Sequence, residues 1–155
     1  MNVLMVIESM FGNTRQVGEA VAASLSRSGA TVRLVGIADA PAEIPSEVDL
    51  VVIGAPTHSR GLSTASTRAQ AGPGGPGVKD WLEGITFPAN SRIAVFDTCT
   101  SRNWMSGSAA KAAVKLLARR GIPATARTFL VRATQGPLQP GELESADAWG
   151  TDLAT

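Results

Sequence analysis

An apolar run near the start of the chain and the polar segment after it read Val3-Leu4-Met5-Val6-Ile7-Glu8-Ser9-Met10-Phe11-Gly12-Asn13-Thr14. The first five residues are all apolar, and an apolar run without alternation is typical of a strand that is covered on both faces, as in a parallel sheet between helices. A short polar loop with one glycine follows, and residues 14–25 then place Val17, Val21 and Leu25 on one face at helical spacing. This stretch therefore predicts a strand, a loop and a helix, the first half of a β-α-β unit.

The same alternation continues along the chain. Strand-length apolar runs lie at 3–7, 31–37, 50–55, 93–96 and 126–131, and helical patterns lie at 14–25, 78–82, 109–118 and 142–153. Gly29 and Gly121 follow the helical patterns at 14–25 and 109–118, at positions that end helices. We predict an α/β fold, a three-layer α/β/α sandwich around a five-stranded parallel sheet, with residues 1–155 forming a single domain.

Composition limits the classes of function. The 155 residues carry 14 Lys and Arg against 13 Asp and Glu, so the net charge of +1 favours neither nucleic acid nor a membrane surface. One cysteine, Cys99, and one histidine, His58, exclude an intramolecular disulfide and a structural zinc site, and we predict no metal. No stretch is long and apolar enough for a membrane span, and the first residues lack the features of a signal peptide, so we expect a cytoplasmic protein.

In an open parallel sheet, ligands bind beyond the carboxyl ends of the strands, which points to the loops at 8–13, 56–77 and 97–107. The first loop offers Ser9, Asn13 and Thr14, together with backbone N–H groups at a helix start, and such a loop favours an anion. Gly12 permits a positive φ or a close backbone approach. The alternative is that Asn13 merely caps the helix.

Other phosphate-binding motifs do not fit. The sequence has no G-x-x-x-x-G-K-[ST], and the first turn has one glycine instead of G-x-G-x-x-G, so neither ATP nor NAD is favoured. A phosphoacceptor receiver domain needs an Asp at the end of the third strand, which here reads Gly54-Ala55-Pro56.

The stretch Ser9–Thr14 resembles the phosphate loop [ST]-x-[TYF]-G-[NT]-T of the flavodoxin-like family. Leu50–His58 looks like that family's second flavin loop and Phe96–Thr98 like the start of its third, while Gly136–Leu138 and Gly141–Glu144 resemble a small bacterial subgroup of stand-alone domains. The resemblance implies the strand order 2-1-3-4-5 and flavin mononucleotide (FMN) as the cofactor. It also implies that the first loop binds the FMN phosphate, through Ser9, Met10, Phe11, Gly12, Asn13 and Thr14.

The resemblance also assigns residues to the flavin ring. The second loop would line it with Pro56, Thr57, His58 and Ser59, and the third would hold its pyrimidine edge with Asp97, Thr98, Cys99 and Trp104. The chain has no tyrosine, so Trp104 is the expected ring wall. Two readings of His58 stay open, a general acid near the flavin N5 or a hydrogen-bonding wall, and no catalytic residue is assigned. Cys99 is expected to be a packing residue.

Residues 59–76 contain almost no large apolar side chain. A segment of 18 residues with this composition is too long for an ordinary connection and predicts a structureless lid or binding segment, or disorder. Arg60 and Arg68 in this segment are expected to be solvated, with contact to an anionic partner as the alternative, and Arg15 is expected to be solvated on the first helical turn.

The functional expectation is an FMN-binding redox protein that carries electrons to a partner protein or reduces a small acceptor. One alternative is a binding or regulatory module with weak or no FMN, and another is a quinone or protoporphyrinogen-type oxidoreductase. Electron-carrying members of the family are strongly acidic, because negative charge destabilises the anionic reduced flavin and steers docking to basic partners. The net charge of +1 departs from that pattern.

Overall fold

A computed structural model describes residues 1–72 and 74–155. Its strands are β1 (Asn2–Ile7), β2 (Thr31–Gly36), β3 (Leu50–Pro56), β4 (Arg92–Cys99) and β5 (Thr125–Leu130). Its helices are α1 (Asn13–Arg27), α2 (Ala65–Ala71), α3 (Val78–Gly84), α4 (Ala109–Arg119) and α5 (Glu142–Leu153). The strands are all parallel and form one five-stranded sheet in the order β2-β1-β3-β4-β5, which confirms the predicted order.

Two apolar cores lie on opposite faces of the sheet. On one face, α1 and α5 cover strand residues that include Met5 and Val52, and Phe96 makes an edge-to-face contact with Trp149 at 5.9 Å between ring centroids. On the other face, α3 and α4 cover residues that include Val6 and Ile53. Because β1, β3 and β4 are buried on both faces, their unbroken apolar runs were a reliable signal of parallel strands.

All five strands differ from the predicted limits by one to three residues at one end or both. β2 ends at Gly36, and a short 3-10 turn occupies Ile37–Asp39. β4 runs on to Cys99, since Thr98 and Cys99 pair with Phe129 and Leu130 of β5. The extension brings polar residues to the carboxyl end of a buried strand, next to the loops that form the site.

The prediction that residues 59–76 are structureless is wrong, because α2 lies within them. Its start is fixed by a capping box, in which the Thr64 side chain accepts from the Thr67 N–H and the Thr67 hydroxyl accepts from the Thr64 N–H. Pro73 of the same segment lies outside the described residues.

Arg68 of α2 is 5% exposed, so its expected solvation is also wrong. Its guanidinium donates to the backbone oxygens of Ser63 and Gly75 and pairs with Asp80 at 2.8 Å. Within the described residues, no helix is long and apolar enough to cross a membrane.

Candidate functional site

A cavity of about 270 Å³ lies at the carboxyl ends of β1, β3 and β4. This is the edge of the sheet at which the strand order reverses, since β1 lies between β2 and β3, and it is where α/β folds bind ligands. All three predicted loops contribute to its wall. The predicted residues that line it are Met10, Phe11, Asn13, Thr14, Pro56, Thr57, His58, Ser59, Thr98 and Cys99.

The first loop presents unused backbone donors to this end of the sheet. Gly12 is the N-cap of α1 with φ 90, the positive φ that its sequence position predicted, and no side chain caps the helix. Within the described residues, the N–H groups of residues 10–14 donate to no protein acceptor. A helix start with free N–H groups favours an anion. The alternative that Asn13 is only a cap is wrong, because Asn13 is the first residue of the helix.

Two contacts fix the polar side chains of this loop. The Thr14 hydroxyl is hydrogen bonded to the Thr98 hydroxyl at 2.8 Å, which ties the start of α1 to the end of β4. The Asn13 side chain lies against Gly136, where an added Cβ would overlap the amide. Arg15 lies outside the cavity and pairs with Glu19 at 2.9 Å, as expected for a solvated residue of the first turn.

The second loop forms a tight turn at the cavity wall. His58 and Gly61 exchange backbone hydrogen bonds of 2.7 and 2.9 Å, and the two residues between them, Ser59 and Arg60, have φ of 45 and 74. Positive φ at both central positions belongs to hairpin turns that favour Asn and Gly, so these two residues are held in a costly conformation. The His58 ring is half-buried and forms no ion pair with a carboxylate among the described residues.

Asp97 lies behind the cavity and joins the second and third loops. It is fully buried, and its Oδ2 accepts from the Thr57 hydroxyl at 3.1 Å, the Ser108 hydroxyl at 2.6 Å and the Ala110 N–H at 3.0 Å. Its Oδ1 has no partner among the described residues. A carboxylate at the start of α4 is stabilised by the helix dipole. Asp97 therefore positions the two loops, and it does not line the cavity.

Cys99 is a buried thiol at the cavity wall. Its S–H donates to the Ser101 carbonyl oxygen at 3.0 Å. Burial raises the pKa of the thiol, and the nearby charge of Asp97 raises it further. A thiol with a raised pKa holds little thiolate near neutral pH, which agrees with a packing residue and not with a nucleophile.

Trp104 is not brought together with the other predicted residues. It is 83% exposed and lines a neighbouring cavity of about 590 Å³, which shares Cys99 with the first. Its role as a ring wall therefore stays a prediction. Three other predicted residues do not line the first cavity: Ser9, Gly12 and Asp97. The Ser9 hydroxyl accepts from the Arg15 N–H at 3.3 Å.

The cavity wall contains residues that the sequence did not point to. These are Arg60, Thr100, Ser106, Val131 and Thr134. The last two follow β5, whose carboxyl end lies at the same sheet edge, so the rule that selected the other loops also selects this one. Arg60 lies at the wall where the second loop contacts the third. The contact is close, because a Cβ added to Gly107 (φ 69) would overlap the Arg60 carbonyl oxygen.

Comparisons with known proteins support the fold. No family model and no curated protein matches the sequence. Flavodoxin 2 from Bacillus cereus has a TM-score of 0.71 at 20% identity, with 99% of this chain and 98% of that chain covered. Flavodoxin 1 from the same organism has a TM-score of 0.68 at 20% identity, with 98% and 96% covered.

A third structure shows a similar fold within a larger protein. Rubredoxin oxygen:oxidoreductase from Desulfovibrio gigas has a TM-score of 0.64 at 22% identity, and the match covers 99% of this chain and 35% of that chain. This chain therefore spans about a third of that protein. The flavodoxin-like fold that the first loop predicted is confirmed by these structures.

Proposed function

We propose that this protein binds FMN noncovalently and acts as a redox protein, passing electrons to a partner protein or a small acceptor. The observation that carries the proposal is the row of free N–H groups at residues 10–14, which borders a cavity at the carboxyl ends of β1, β3 and β4. A phosphate of about −1.5 to −2 charges suits these donors at a helix start. The fold shared with flavodoxins supports the same cofactor.

The chemistry of the donors fits FMN phosphate without a cation. The first loop contains no Lys or Arg, and Arg15 is paired with Glu19 outside the cavity. We expect backbone N–H groups and the hydroxyl of Thr14 to hold the phosphate. Pro56, Thr57 and His58 would flank the flavin ring. The ring supplies the electron-transfer chemistry when FMN is bound. The contacts of Asp97 keep the second and third loops in position around it.

Two further functions remain as alternatives. A binding or regulatory module with weak or no FMN is favoured by the exposed position of Trp104, which leaves the cavity without an aromatic wall from the third loop. A quinone or protoporphyrinogen-type oxidoreductase is favoured by the open neighbouring cavity of about 590 Å³, which gives an acceptor a place beside the ring.

Titration of the purified protein with FMN and with riboflavin tests the proposal. We expect FMN to bind and its fluorescence to be quenched, and we expect riboflavin to bind more weakly because it lacks the phosphate. Bound flavin should lose its visible absorbance on addition of dithionite. If neither FMN nor riboflavin binds, the redox proposal is wrong and the regulatory module is the function that is left. Turnover of quinones would identify the oxidoreductase.

Replacement of Thr14 tests the neutral phosphate loop. We expect Thr14→Ala to weaken FMN binding about tenfold, since a hydrogen bond to a charged group contributes roughly 1.5 kcal/mol. Thr14→Ser keeps the hydroxyl and should restore most of the affinity. Arg15→Ala is the control, and it should leave the dissociation constant within about twofold because its exposed ion pair with Glu19 is weak. A larger loss for Arg15→Ala than for Thr14→Ala would show that a cation holds the phosphate.

A further inference from the structure

We infer that the mouth of the cavity is the docking surface for an acidic electron-transfer protein. The docking surface comprises five residues that line one of the two cavities, Phe11, Arg60, Arg102, Trp104 and Lys111, and the exposed Met105, which stands in the chain between the lining residues Trp104 and Ser106. This inference rests on the proposed redox function and adds the chemistry of the partner. It follows from three properties of the surface: its cations, its exposed apolar side chains and, among the described residues, a cavity lining without Asp or Glu.

The cations of the docking surface come from the two loops at the cavity and from α4. Arg60 lines the first cavity, and Arg102 and Lys111 line the second. Arg60 and Lys111 form no ion pair within the described residues, and Arg102 approaches Glu142 only to 3.7 Å. Glu142 is largely withdrawn from solvent and accepts from the Leu130 N–H at 2.6 Å. The positive charge therefore faces solvent.

Among the described residues, the charged side chains that line the two cavities are all basic. Neither cavity is lined by an Asp or a Glu from the part of the chain that the structure describes, although the chain has 13 of them. Two carboxylates lie close by without lining either cavity: Asp97 is fully buried, and Glu142, whose side chain is 12% exposed, is 3.7 Å from Arg102. A surface of one sign steers a partner of the opposite sign.

The apolar part of the docking surface favours a protein over a small acceptor. Trp104 and Met105 are 83% and 62% exposed, and Phe11 is 42% exposed. The other two tryptophans, Trp81 and Trp149, are packed in the cores. Aromatic residues, Met and Arg are the types enriched at protein interfaces. A small acceptor in the second cavity would contact Trp104 but would leave Met105, which lines neither cavity, in water, whereas a protein laid across the mouth would cover both.

The whole-molecule charge predicts the opposite partner, which makes the inference testable. The chain carries +1, so a bound phosphate of about −1.5 to −2 leaves the loaded protein slightly negative. Net charge alone would then repel an acidic protein weakly. Attraction to an acidic protein would therefore report the local surface.

Electron transfer to two probe proteins of opposite charge distinguishes these cases. The FMN-loaded protein is reduced with dithionite, separated from excess dithionite and free flavin by anaerobic gel filtration, and mixed in a stopped-flow instrument with acidic plastocyanin or with basic cytochrome c. Each Cu(II) or Fe(III) centre takes one electron, so two probe molecules oxidise one fully reduced flavin. Raising the salt from about 20 to 200 mM should lower the rate constant with plastocyanin about threefold or more and should not lower that with cytochrome c.

Substitutions identify the surface. Arg60→Gln and Lys111→Gln should each lower the low-salt rate with plastocyanin about twofold or more. Arg33→Gln is the matched control, because it removes the same charge from β2 beside a separate cavity, and it should leave the rate unchanged. Calorimetry of the oxidised proteins gives a second measurement that needs no electron transfer, and Lys111→Gln and Trp104→Ala should both weaken the binding of plastocyanin.

Several results would overturn the docking surface. These are a plastocyanin rate that rises or stays constant with salt, a preference for cytochrome c at low salt, or equal effects of Arg33→Gln and Arg60→Gln. Failure of the proposed function is distinguishable, because a protein that does not bind FMN shows a flat FMN titration and reduces neither probe. Failure of the docking surface leaves the FMN titration intact and both probes reduced.

Discussion

At the scale of the residue, Cys99 shows how position sets reactivity. The thiol borders the cavity, but burial and Asp97 both raise its pKa. A raised pKa favours the neutral thiol in the folded protein, so the reactive thiolate should appear only at alkaline pH. We expect alkylation of folded Cys99 by iodoacetamide at pH 7.5 to be much slower than in urea and to accelerate as the pH rises. Mass spectrometry measures both rates, and equal rates in the folded and unfolded protein would contradict the prediction.

At the scale of the element, a buried polar network holds α2 against β1. Glu8 accepts from the Val78 N–H at 2.8 Å and from the Ser63 hydroxyl at 2.6 Å, and Arg68 Nη1 donates to the same hydroxyl oxygen at 3.0 Å. Glu8, Ser63 and Arg68 are all nearly inaccessible to solvent. Removal of one partner leaves a buried charge without compensation, and that costs far more than loss of an exposed pair.

Substitution of Arg68 tests this network. We expect Arg68→Ala to lower the free energy of unfolding by about 3 kcal/mol or more. Arg68→Lys should also be strongly destabilising, because an ammonium lacks the planar set of donors that reaches Ser63, Gly75 and Asp80 together. Urea denaturation measures both, with Arg15→Ala as the control, where loss of an exposed pair should cost about 1 kcal/mol or less. If Arg68→Ala lowers the free energy of unfolding by no more than Arg15→Ala does, the network contributes little to stability.

The same elements show how much the sequence could predict. Strands β1, β3 and β4 were readable because burial on both faces demands unbroken apolar runs. Helix α2 was not, since it buries an arginine and its few residues carry no apolar stripe. Most of the residues that line the cavity could be predicted from the sequence, because the carboxyl ends of parallel strands meet at one edge of the sheet. The outward position of Trp104 could not, because loop conformation decides which side chain faces the cavity.

At the scale of the whole molecule, near-neutral charge conceals an uneven distribution. The 14 basic and 13 acidic residues almost cancel, yet the two cavities at the mouth are lined by Arg60, Arg102 and Lys111 and, within the described chain, by no Asp or Glu. A flavin in this cavity would gain negative charge on reduction in the presence of Arg60. The local charge at the mouth, more than the net charge of the chain, would therefore act on a flavin bound there.

The reduction potential of bound FMN should report this distribution. A cation near the ring favours the anionic reduced flavin, so Arg60→Gln should lower the midpoint potential, by an amount of the order of 1 kcal/mol in free energy. Ser106→Asp, which adds a carboxylate to the same cavity wall, should lower it as well, and Arg33→Gln on β2 should have no effect. Dithionite titration against reference dyes measures the three variants at one pH and ionic strength. An unchanged potential in both cavity variants would show that solvent screens the mouth, and Arg60 would then act only on partners.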